Sequence, residues 1–367
     1  MGNGCGSVEN LVIDFSFWKG KTVVVTGHTG FKGSWLSMWL KSLGANVHGY
    51  SLAPPDGHNL FHQAKLQQDI ASTFADINDQ ERLFSAVKAI DPQFIFHLAA
   101  QSLVLESYTN PIATYATNIM GTANILEASR YCENLAATIV VTSDKCYENK
   151  EWLWGYRENE AMGGHDPYSS SKACAELVSA AYRKSFFCDP ASPVIATARA
   201  GNVIGGGDWA ANRLIPDLIR AFLDKQTAQV RNPHSIRPWQ HVLEPLSGYL
   251  QLAALGSTDR TLGDAWNFGP DESSCLPVSD VAASLADLWS DGANWTDISE
   301  AQVHEASLLK LDSSKSRRLL GWRPKLDIQA SLQLSVAWYK AFKSGKSVRE
   351  TTQSQIDYYM DLQQRDE

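Results

Sequence analysis

The segment that most constrains this 367-residue chain is residues 23–33, where an apolar run passes through three glycines, spaced three apart, into a helical pattern. Gly27 permits a tight turn, Gly30 lets backbone N–H groups approach phosphate oxygens, and Gly33 lets the helix pack closely against the strand. A helix that begins there presents unpaired N–H groups and the positive end of its dipole to an anion. The segment therefore predicts a pyrophosphate cradle and a bound dinucleotide.

Three glycines between a strand and a helix are, by themselves, often only a turn, so the neighbouring segments matter. Residues 21–26 form a short β-branched run, and residues 34–42 carry apolar side chains at helical spacing before Gly44. The next predicted strand, 46–51, follows at once. This is the βαβ unit that a dinucleotide site requires.

The same alternation of strand-like and helix-like segments continues through the first half of the chain. Predicted strands lie at 22–26, 46–51, 71–75, 93–97, 138–142 and 194–199, and predicted helices at about 34–43, 78–89, 111–132 and 168–187. Such alternation is typical of a parallel sheet with helices on both faces. We therefore predict an α/β fold with a Rossmann-type doubly wound parallel sheet.

Beyond Gly201 the alternation stops, which indicates a smaller C-terminal substrate-binding lobe. Helical patterns recur at 215–224, 277–289 and 330–342, whereas 226–275 looks irregular with short strands. The predicted organisation is an N-terminal arm (1–17), a dinucleotide-binding domain (18–200), a substrate lobe (201–345) that can return a strand to the main sheet, and a C-terminal tail (346–367).

Composition restricts the partners and the compartment. A net charge of −8 argues against nucleic acid as the main partner. No apolar run reaches the roughly 18 residues that a membrane span needs. The six cysteines are scattered, without the spacing of a zinc site, so we expect reduced thiols, no metal and a cytoplasmic protein.

Tyr168 and Lys172 are the first candidate catalytic pair. They follow Asp166-Pro167, a natural helix start, and their i, i+4 spacing places both on one helical face. A nearby cation favours the phenolate and so lowers a tyrosine pKa. Such a phenolate can take a proton from a sugar hydroxyl while a nicotinamide takes the hydride. An isolated Tyr-x-x-x-Lys is more often a surface pair, but the glycine loop upstream favours the catalytic interpretation.

A second candidate lies where the predicted strand 138–142 ends in Ser143, Asp144 and Lys145. Ligands of open α/β sheets sit at the carboxyl ends of strands, so three functional side chains there indicate a site. The alternative is a polar turn that caps a helix. The strand at 94–97 similarly ends in small residues, which would let a flat cofactor approach the backbone, although His97 alone is more often a core histidine.

Together these residues resemble the extended short-chain dehydrogenases/reductases over roughly 20–345. The shared motifs are Thr-Gly-x-x-Gly-x-x-Gly at 26–33, Asp76-Ile77, His97-Leu98-Ala99-Ala100, Asn118 and the Tyr168/Lys172 pair. Within that superfamily the chain resembles the nucleotide-sugar 4,6-dehydratases. The runs 26–35, 201–209 and 231–245 resemble the signature of those that act on CDP-D-glucose.

The resemblance implies NAD as the cofactor and assigns residues to it and to CDP-D-glucose. The cofactor residues are Gly27, Thr29, Gly30, Phe31, Lys32, Gly33, Asp76, Ile77, Leu98, Ala99 and Ala100, together with Tyr168 and Lys172. The substrate residues are Gln101, Asn202, Arg213, Arg231, Arg237 and His241. Arg231 and Arg237 suit the diphosphate because a guanidinium binds phosphate oxygens in bidentate fashion.

The implied reaction is oxidation of the sugar at C4, loss of water across C5 and C6, and return of the hydride to C6. Tyr168 would deprotonate the 4-hydroxyl, assisted by Lys172 and Ser143, and Asp144 would protonate the departing hydroxyl. Most relatives have Asp-Glu where this chain has Asp144-Lys145. Lys145 can act as the C5 base only when neutral, or can stay charged and stabilise the enolate; we favour the base.

A second departure concerns the adenosine ribose. The strand 46–51 ends in Gly49-Tyr50-Ser51 without the expected acidic residue, and no arginine pair for a 2′-phosphate stands there. NAD is therefore an expectation that rests on the resemblance.

Four functions remain open at this stage. The sequence favours a CDP-D-glucose 4,6-dehydratase. A UDP-N-acetylhexosamine 4,6-dehydratase is an alternative, because some of these enzymes also have the Asp-Lys pair. A nucleotide-sugar 4-epimerase is less favoured, because it needs no acid at C6 and would give Asp144 no role. A non-catalytic NAD(P)-sensing regulator would typically lose the Tyr/Lys pair that this chain keeps. The resemblance also implies a homodimer that pairs helices near 111–132 and 168–187, and a product used in bacterial deoxysugar synthesis for the lipopolysaccharide O-antigen.

Overall fold

The computed structural model describes residues 14–298 and 306–365. Its strands are β1 (Thr22–Thr26), β2 (Asn46–Ser51), β3 (Ala71–Phe74), β4 (Phe94–His97), β5 (Ala137–Val141), β6 (Val194–Ala200), β7 (Asn202–Ile204), β8 (Ala228–Val230), β9 (Ile236–His241), β10 (Ala265–Phe268), β11 (Cys275–Pro277) and β12 (Trp295–Asp297).

Seven of these strands form a parallel sheet in the order β10-β6-β5-β4-β1-β2-β3. β1 lies near the middle, where Val25 pairs with Gly49 of β2 on one side and Phe96 of β4 on the other. The chain builds outwards from β1 through β2 and β3, then crosses to β4 and continues the other way. This reversal creates the crevice in which doubly wound sheets bind ligands. The predicted fold class is confirmed.

Helices cover both faces of the sheet. They are α1 (Phe31–Ser42), α2 (Leu60–Gln63), α3 (Gln80–Ile90), α4 (Val104–Thr109), α5 (Pro111–Tyr115), α6 (Gly121–Ser129), α7 (Pro167–Phe186), α8 (Leu214–Leu223), α9 (Leu243–Gly256), α10 (Val278–Trp289), α11 (Ser314–Leu319), α12 (Ile328–Lys343) and α13 (Val348–Gln364). A π-helical turn, Ala116–Met120, joins α5 to α6.

The strand side chains alternate between two apolar layers. Val23 and Val25 of β1 belong to the larger cluster, whereas Val24 between them belongs to the smaller one with Ile95 of β4. Successive side chains of a strand point to opposite faces, so a strand buried on both sides is apolar without interruption. This explains the continuous β-branched runs in the sequence.

The second half of the chain returns one strand to the main sheet, as predicted. β10 pairs in parallel with β6, with Trp266 opposite Ala198. The expectation that 226–275 is irregular is wrong for α9, a fourteen-residue helix that is buried along nearly its whole length. The buried side chains of α9 lie on nearly all sides of the helix and include Glu244, Ser247 and Gln251, so they do not form the one-sided apolar stripe that predicts a helix. The domain limits themselves stay a prediction.

Both predicted terminal segments differ from expectation where the structure describes them. Most of the arm 1–17 lies outside the described residues, but Phe15–Trp18 forms a 3-10 helix whose Phe15 and Trp18 are buried in the core. The expected C-terminal tail contains α13, which begins at Val348. Its Tyr359 hydroxyl donates to the buried carboxylate of Glu244 at 2.7 Å, so this helix is anchored to α9.

Two wider features also concern the described residues alone. None of the helices within 14–298 and 306–365 is long and apolar enough to cross a membrane. No group of three or more histidine, cysteine, aspartate or glutamate side chains in these ranges is arranged to hold a metal ion.

Candidate active site

A cleft of about 980 Å³ opens at the carboxyl ends of the central strands. It brings together the glycine loop, the ends of β4 and β5, the start of α7 and part of the C-terminal half. The predicted residues that line it are Gly27, Thr29, Gly30, Phe31, Lys32, Gly33, Asp76, Ile77, Leu98, Ala99, Ala100, Ser143, Asp144, Lys145, Tyr168, Lys172, Asn202, Arg213, Arg231 and Arg237.

The glycine loop has no room for side chains at two positions. Gly27 has a φ of +72°, and a Cβ there would lie 2.7 Å from the backbone nitrogen of Ala99. A Cβ on Gly33 would lie 2.1 Å from the Gly27 carbonyl oxygen. α1 begins at Phe31, and Gly30 precedes it without a side-chain cap. The first N–H groups of α1 are therefore left for an anion in the cleft, and this cradle fits a dinucleotide pyrophosphate.

Hydroxyl groups lie at the end of β2, where an acidic residue that binds the adenosine ribose was expected. The Thr29 hydroxyl lies 2.8 Å from that of Ser51 and donates to the Leu52 carbonyl oxygen at 3.1 Å. Asp76 and Ile77 line the same part of the cleft from the end of β3. β2 itself thus ends in a hydroxyl group, whereas Asp56 of the loop that follows it lines the cleft.

At the end of β4, His97 is buried and belongs to the core. Its Nδ1 lies 2.7 Å from the Thr26 hydroxyl, and its Nε2 lies 3.3 Å from that of Thr122. Burial, with the nearby charge of Lys172, lowers the pKa of His97 to about 3. The imidazole is therefore neutral at pH 7, whereas Ala99 and Ala100 line the cleft as predicted.

Asp144 is almost completely buried at the end of β5, with 2 % of its surface exposed. Its Oδ1 accepts a hydrogen bond from the Ser143 hydroxyl at 2.9 Å, and its Oδ2 has no partner among the described atoms. Burial raises the pKa of this carboxyl, although Lys145 and the Ser143 hydrogen bond oppose the shift. A carboxyl in such surroundings can hold and release a proton.

α7 carries the Tyr168/Lys172 pair on its buried face. The Asp166 carboxylate caps the helix by accepting from the Ser169 N–H at 2.8 Å, and Pro167 occupies its first turn. The Lys172 ammonium donates to the Val141 carbonyl oxygen at 3.2 Å, which ties α7 to the end of β5. The helix thereby places Tyr168 beside the β5 end.

The pKa of Tyr168 differs from the expectation that a neighbouring cation would lower it. Burial raises this pKa to about 12, and a hydrogen bond with Ser143 only partly opposes the rise. Burial also lowers the pKa of Lys172 to about 8, against the opposing charge of Glu176. In the protein alone, desolvation therefore dominates the electrostatics of the pair.

Three arginines supply positive charge to the far wall of the cleft. Arg213 donates to the Asp208 carboxylate at 3.0 Å and to the Ser102 hydroxyl at 2.8 Å. Arg237 is buried, and its charge lowers the pKa of Asp144. The Arg231 guanidinium donates to the Asn212 side-chain oxygen at 3.5 Å. This arrangement suits an anionic ligand, and the assignment of Arg231 and Arg237 to the diphosphate stays a prediction.

Two predicted substrate residues lie outside the cleft lining, and their assignments need correction. The Gln101 amide donates to the Leu103 carbonyl oxygen at 3.0 Å and to the Thr114 hydroxyl at 2.9 Å, so it organises its own loop. His241 is completely buried, with its ring edge-on to Trp35 at 5.8 Å. The sequence placed both near functional motifs but did not indicate which way their side chains point.

One residue at the site was not predicted. Glu176 follows Lys172 by four residues and Tyr168 by eight, so all three lie on one face of α7. Its carboxylate is buried against Arg199 of β6 at 2.8 Å. The i, i+4, i+8 spacing was visible in the sequence and could have identified it.

Comparison with known proteins places this architecture in a family. A model of the GDP-mannose 4,6 dehydratase family matches residues 24–334. The chain belongs to this family. The CDP-glucose 4,6-dehydratase of Salmonella typhimurium is 49% identical over 355 residues, which cover 95% of this chain and 99% of the relative. A probable dTDP-glucose 4,6-dehydratase of Sinorhizobium fredii is 26% identical over 342 residues, 86% of this chain and 92% of that protein.

Solved structures agree with the fold of a GDP-mannose 4,6 dehydratase family member. DesIV, a dTDP-glucose 4,6-dehydratase from Streptomyces venezuelae solved with NAD and TYD bound, superposes with a TM-score of 0.76 at 22% identity, covering 89% of this chain and 99% of DesIV. The epimerase Mth375 from Methanothermobacter thermautotrophicus gives a TM-score of 0.77 at 23% identity, covering 92% and 96%. The family match and the 49% identical relative confirm the predicted resemblance to nucleotide-sugar 4,6-dehydratases, and the solved structures confirm the fold.

A methyl group added at Gly30 tests whether the glycine loop binds the pyrophosphate. A Cβ at Gly30 would lie 3.3 Å from the Gly27 carbonyl oxygen, a contact that a small shift relieves, yet it would project where the pyrophosphate must approach. We expect Gly30→Ala to fold with an unchanged melting temperature and to bind NAD⁺ at least about tenfold more weakly, a loss of about 1.4 kcal/mol. Calorimetric titration measures the affinity.

Gly256→Ala is the matched control. Gly256 ends α9 outside the cleft lining, and its added Cβ would lie the same 3.3 Å from the Val194 side chain. Equal NAD⁺ affinity in the two variants would contradict the placement of the pyrophosphate at this loop.

Proposed function

We propose that this protein dehydrates CDP-D-glucose to CDP-4-dehydro-6-deoxy-D-glucose with NAD as its cofactor, as a hydro-lyase. The observation that carries the proposal is the meeting of Tyr168, Lys172 and the buried Asp144 in one cleft beside the glycine cradle. The near-full-length relative that is 49% identical is a CDP-glucose 4,6-dehydratase, which supports this substrate over other nucleotide sugars.

NAD⁺, when bound, supplies a hydride acceptor for C4 and, once reduced, the hydride donor for C6. Gly27, Gly30 and Gly33 would hold its pyrophosphate, and the small residues after β4 would leave room for its flat ring. The net reaction removes one water, so the cofactor ends each turnover in the form in which it began.

The first proton transfer belongs to Tyr168. Its phenolate would take the proton of the sugar 4-hydroxyl, and loss of that proton together with the C4 hydride, which bound NAD⁺ would accept, would leave a ketone at C4. In the protein alone burial favours the neutral phenol, so the positive charges that reach the cleft are needed to favour the phenolate. The Ser143 hydrogen bond and the charge of Arg213 both lower the pKa of Tyr168, and we propose that Lys172, which the Val141 carbonyl oxygen holds at the β5–α7 junction, assists them.

The elimination belongs to Asp144 and Lys145. The C4 ketone acidifies the C5 proton, and loss of that proton expels the C6 hydroxyl, which needs a proton to leave as water. Asp144 suits this role because its burial raises the pKa of its carboxyl. Lys145 lies in the cleft next to it, half-buried, and we propose that its amine takes the C5 proton.

The other assignments follow from position in the cleft. Arg231 and Arg237 would bind the diphosphate, and Asn202 and Arg213 would face the nucleotide. A UDP-N-acetylhexosamine remains the competing substrate, because the Asp144-Lys145 pair suits it equally. We also propose that the protein acts in the cytoplasm without nucleic-acid or membrane partners, in keeping with its net charge of −8.

A direct assay tests the reaction. We expect the purified protein with CDP-D-glucose to give the absorbance near 320 nm in alkali that marks 4-keto-6-deoxy sugars, and Tyr168→Phe to lower kcat by about 10²- to 10⁴-fold because the C4 proton has no acceptor. A signal with a UDP sugar but none with CDP-D-glucose would refute the proposed substrate.

The role of Lys145 is decided separately. If its amine takes the C5 proton, exchange of the C5 hydrogen with solvent deuterium should fall by about 10²- to 10⁴-fold in Lys145→Ala. Lys145→Glu should restore much of it, since a carboxylate can act as the base. Proton NMR follows the exchange, and undiminished exchange in the alanine variant would leave enolate stabilisation as the role of Lys145.

We further propose that the protein is a homodimer. Large apolar side chains are exposed on α5, α7 and the π-helical turn between α5 and α6, where Ile112 is 79 %, Leu177 59 % and Met120 54 % exposed. The hydroxyl groups of Tyr115 on α5 and Ser170 on α7 form a hydrogen bond of 2.9 Å, so these helices lie side by side and form one face. A second copy of that face would bury these side chains.

Leu177→Arg tests the dimer, because a charge in the middle of an apolar interface is costly to desolvate. We expect light scattering to give twice the 40.4 kDa chain mass for the wild type and the monomer mass for the variant. Leu319→Arg, on α11 and 52 % exposed, is the control that should stay dimeric. A monomeric wild type would contradict the proposal.

A further inference from the structure

A buried ion pair lies beneath the cleft, between Glu176 of α7 and Arg199 of β6. Their charged atoms are 2.8 Å apart, and the two side chains are only 4 % and 3 % exposed. Taking two charges out of water costs free energy that their attraction does not reliably return. A purely structural contact could be made by apolar residues, so the hydrogen-bond partners of this pair are informative.

The Glu176 carboxylate connects three elements. Oε1 accepts from the Thr142 hydroxyl, and Oε2 accepts from the Thr197 hydroxyl at 2.7 Å as well as from Arg199. Thr142 is the residue immediately before the Ser143–Lys145 turn. The carboxylate therefore ties α7 to the beginning of that turn and to β6.

The Arg199 guanidinium holds the other end of the same turn. Its Nη1 donates to the Tyr147 hydroxyl at 2.7 Å and to the Glu158 carbonyl oxygen at 3.1 Å. The Tyr147 hydroxyl in turn donates to the Asn267 side-chain oxygen at 2.8 Å. Thr142 and Tyr147 bracket the turn, so both of its ends are fastened to one ion pair that also belongs to the helix of Tyr168.

We propose that Glu176 and Arg199 are positioning residues whose ion pair holds the Ser143–Lys145 turn in register with Tyr168 and Lys172, and that the Glu176 charge keeps Lys172 protonated. The chemistry assigned to the two segments rests on the proposed function. Oxidation at C4 uses α7 and elimination at C5 and C6 uses the turn. The reaction therefore needs both segments at fixed positions relative to one hexose.

The electrostatic part follows from what surrounds Lys172. Four titratable groups interact electrostatically with Lys172. They are Glu176 on the next turn of α7, Cys146 just after the Ser143–Lys145 turn, His97 at the end of β4 and Lys32 of α1. Burial lowers the pKa of Lys172 to about 8, and the negative charge of Glu176 opposes that shift. Without this charge, the Lys172 ammonium loses its proton at a lower pH.

Separate variants isolate the two parts. Thr142→Val and Tyr147→Phe each remove one link to the turn and leave every charge in place, so we expect kcat to fall about 10- to 100-fold with an unchanged KM and an unchanged pH profile. Glu176→Gln should lower kcat similarly and should also shift the alkaline limb of the kcat profile to lower pH.

A titration that needs no turnover accompanies the kinetics. ¹⁵N NMR of the Lys172 side chain, assigned with Lys172→Arg, should show a lower midpoint in Glu176→Gln and an unchanged midpoint in Thr142→Val. Glu244→Gln is the matched control, because Glu244 is an equally buried glutamate that anchors α13 through Tyr359. It should change stability but neither kcat nor the Lys172 midpoint.

Wild-type kcat in Thr142→Val and Tyr147→Phe would overturn the positioning role. An unchanged Lys172 midpoint in Glu176→Gln would overturn the electrostatic role, and if that variant does not fold, the two neutral variants still decide the first question. A wild-type protein that forms no product from CDP-D-glucose would refute the proposed function instead, and the Lys172 titration would then decide the role of Glu176.

Discussion

The close approach of α1 to the end of β1 is the contact on which the site depends. At Gly33 the helix comes so near the Gly27 carbonyl that a single added carbon would lie 2.1 Å from its oxygen. β1 lies between β4 and β2 in the sheet, so this approach aims the first N–H groups of α1 into the crevice where the strand order reverses. Because the carboxyl ends of β4 and β5 open into the same crevice, the functional groups that follow them meet the cradle.

Burial is the common cause of the unusual chemistry in this cleft. It raises the pKa of the Asp144 carboxyl, raises that of Tyr168 to about 12 and lowers that of Lys172 to about 8. Each shift favours the uncharged form, as expected where water is excluded. Charges are therefore kept only where a partner supports them, and Glu176 supports Lys172 from the next turn of the same helix. Proton transfer in such surroundings depends on where a few charges are held.

The sequence predicted the elements whose periodicity is strong and missed those whose surroundings hide it. The central strands and α7 lie within a few residues of their predicted positions, because uninterrupted β-branched runs and amphipathic spacing are local signals. α9 was missed because it is buried on nearly all sides, and α13 because the polar Thr352 and Gln355 occupy part of its buried stripe. Gln101 and His241 stood next to functional motifs, but the direction of a side chain depends on packing that a motif does not specify.

The sequence alone determined the glycine cradle, the alternation that gives a parallel sheet, and the residue types that end β5 and begin α7, because these follow from backbone sterics and short-range spacing. Only the tertiary structure decided that Asp144 is buried, that the pKa of Tyr168 rises, and that the Glu176–Arg199 pair joins α7 to the residues on either side of the Ser143–Lys145 turn. Desolvation and long-range ion pairing depend on what surrounds a group, and residues distant in the chain supply those surroundings.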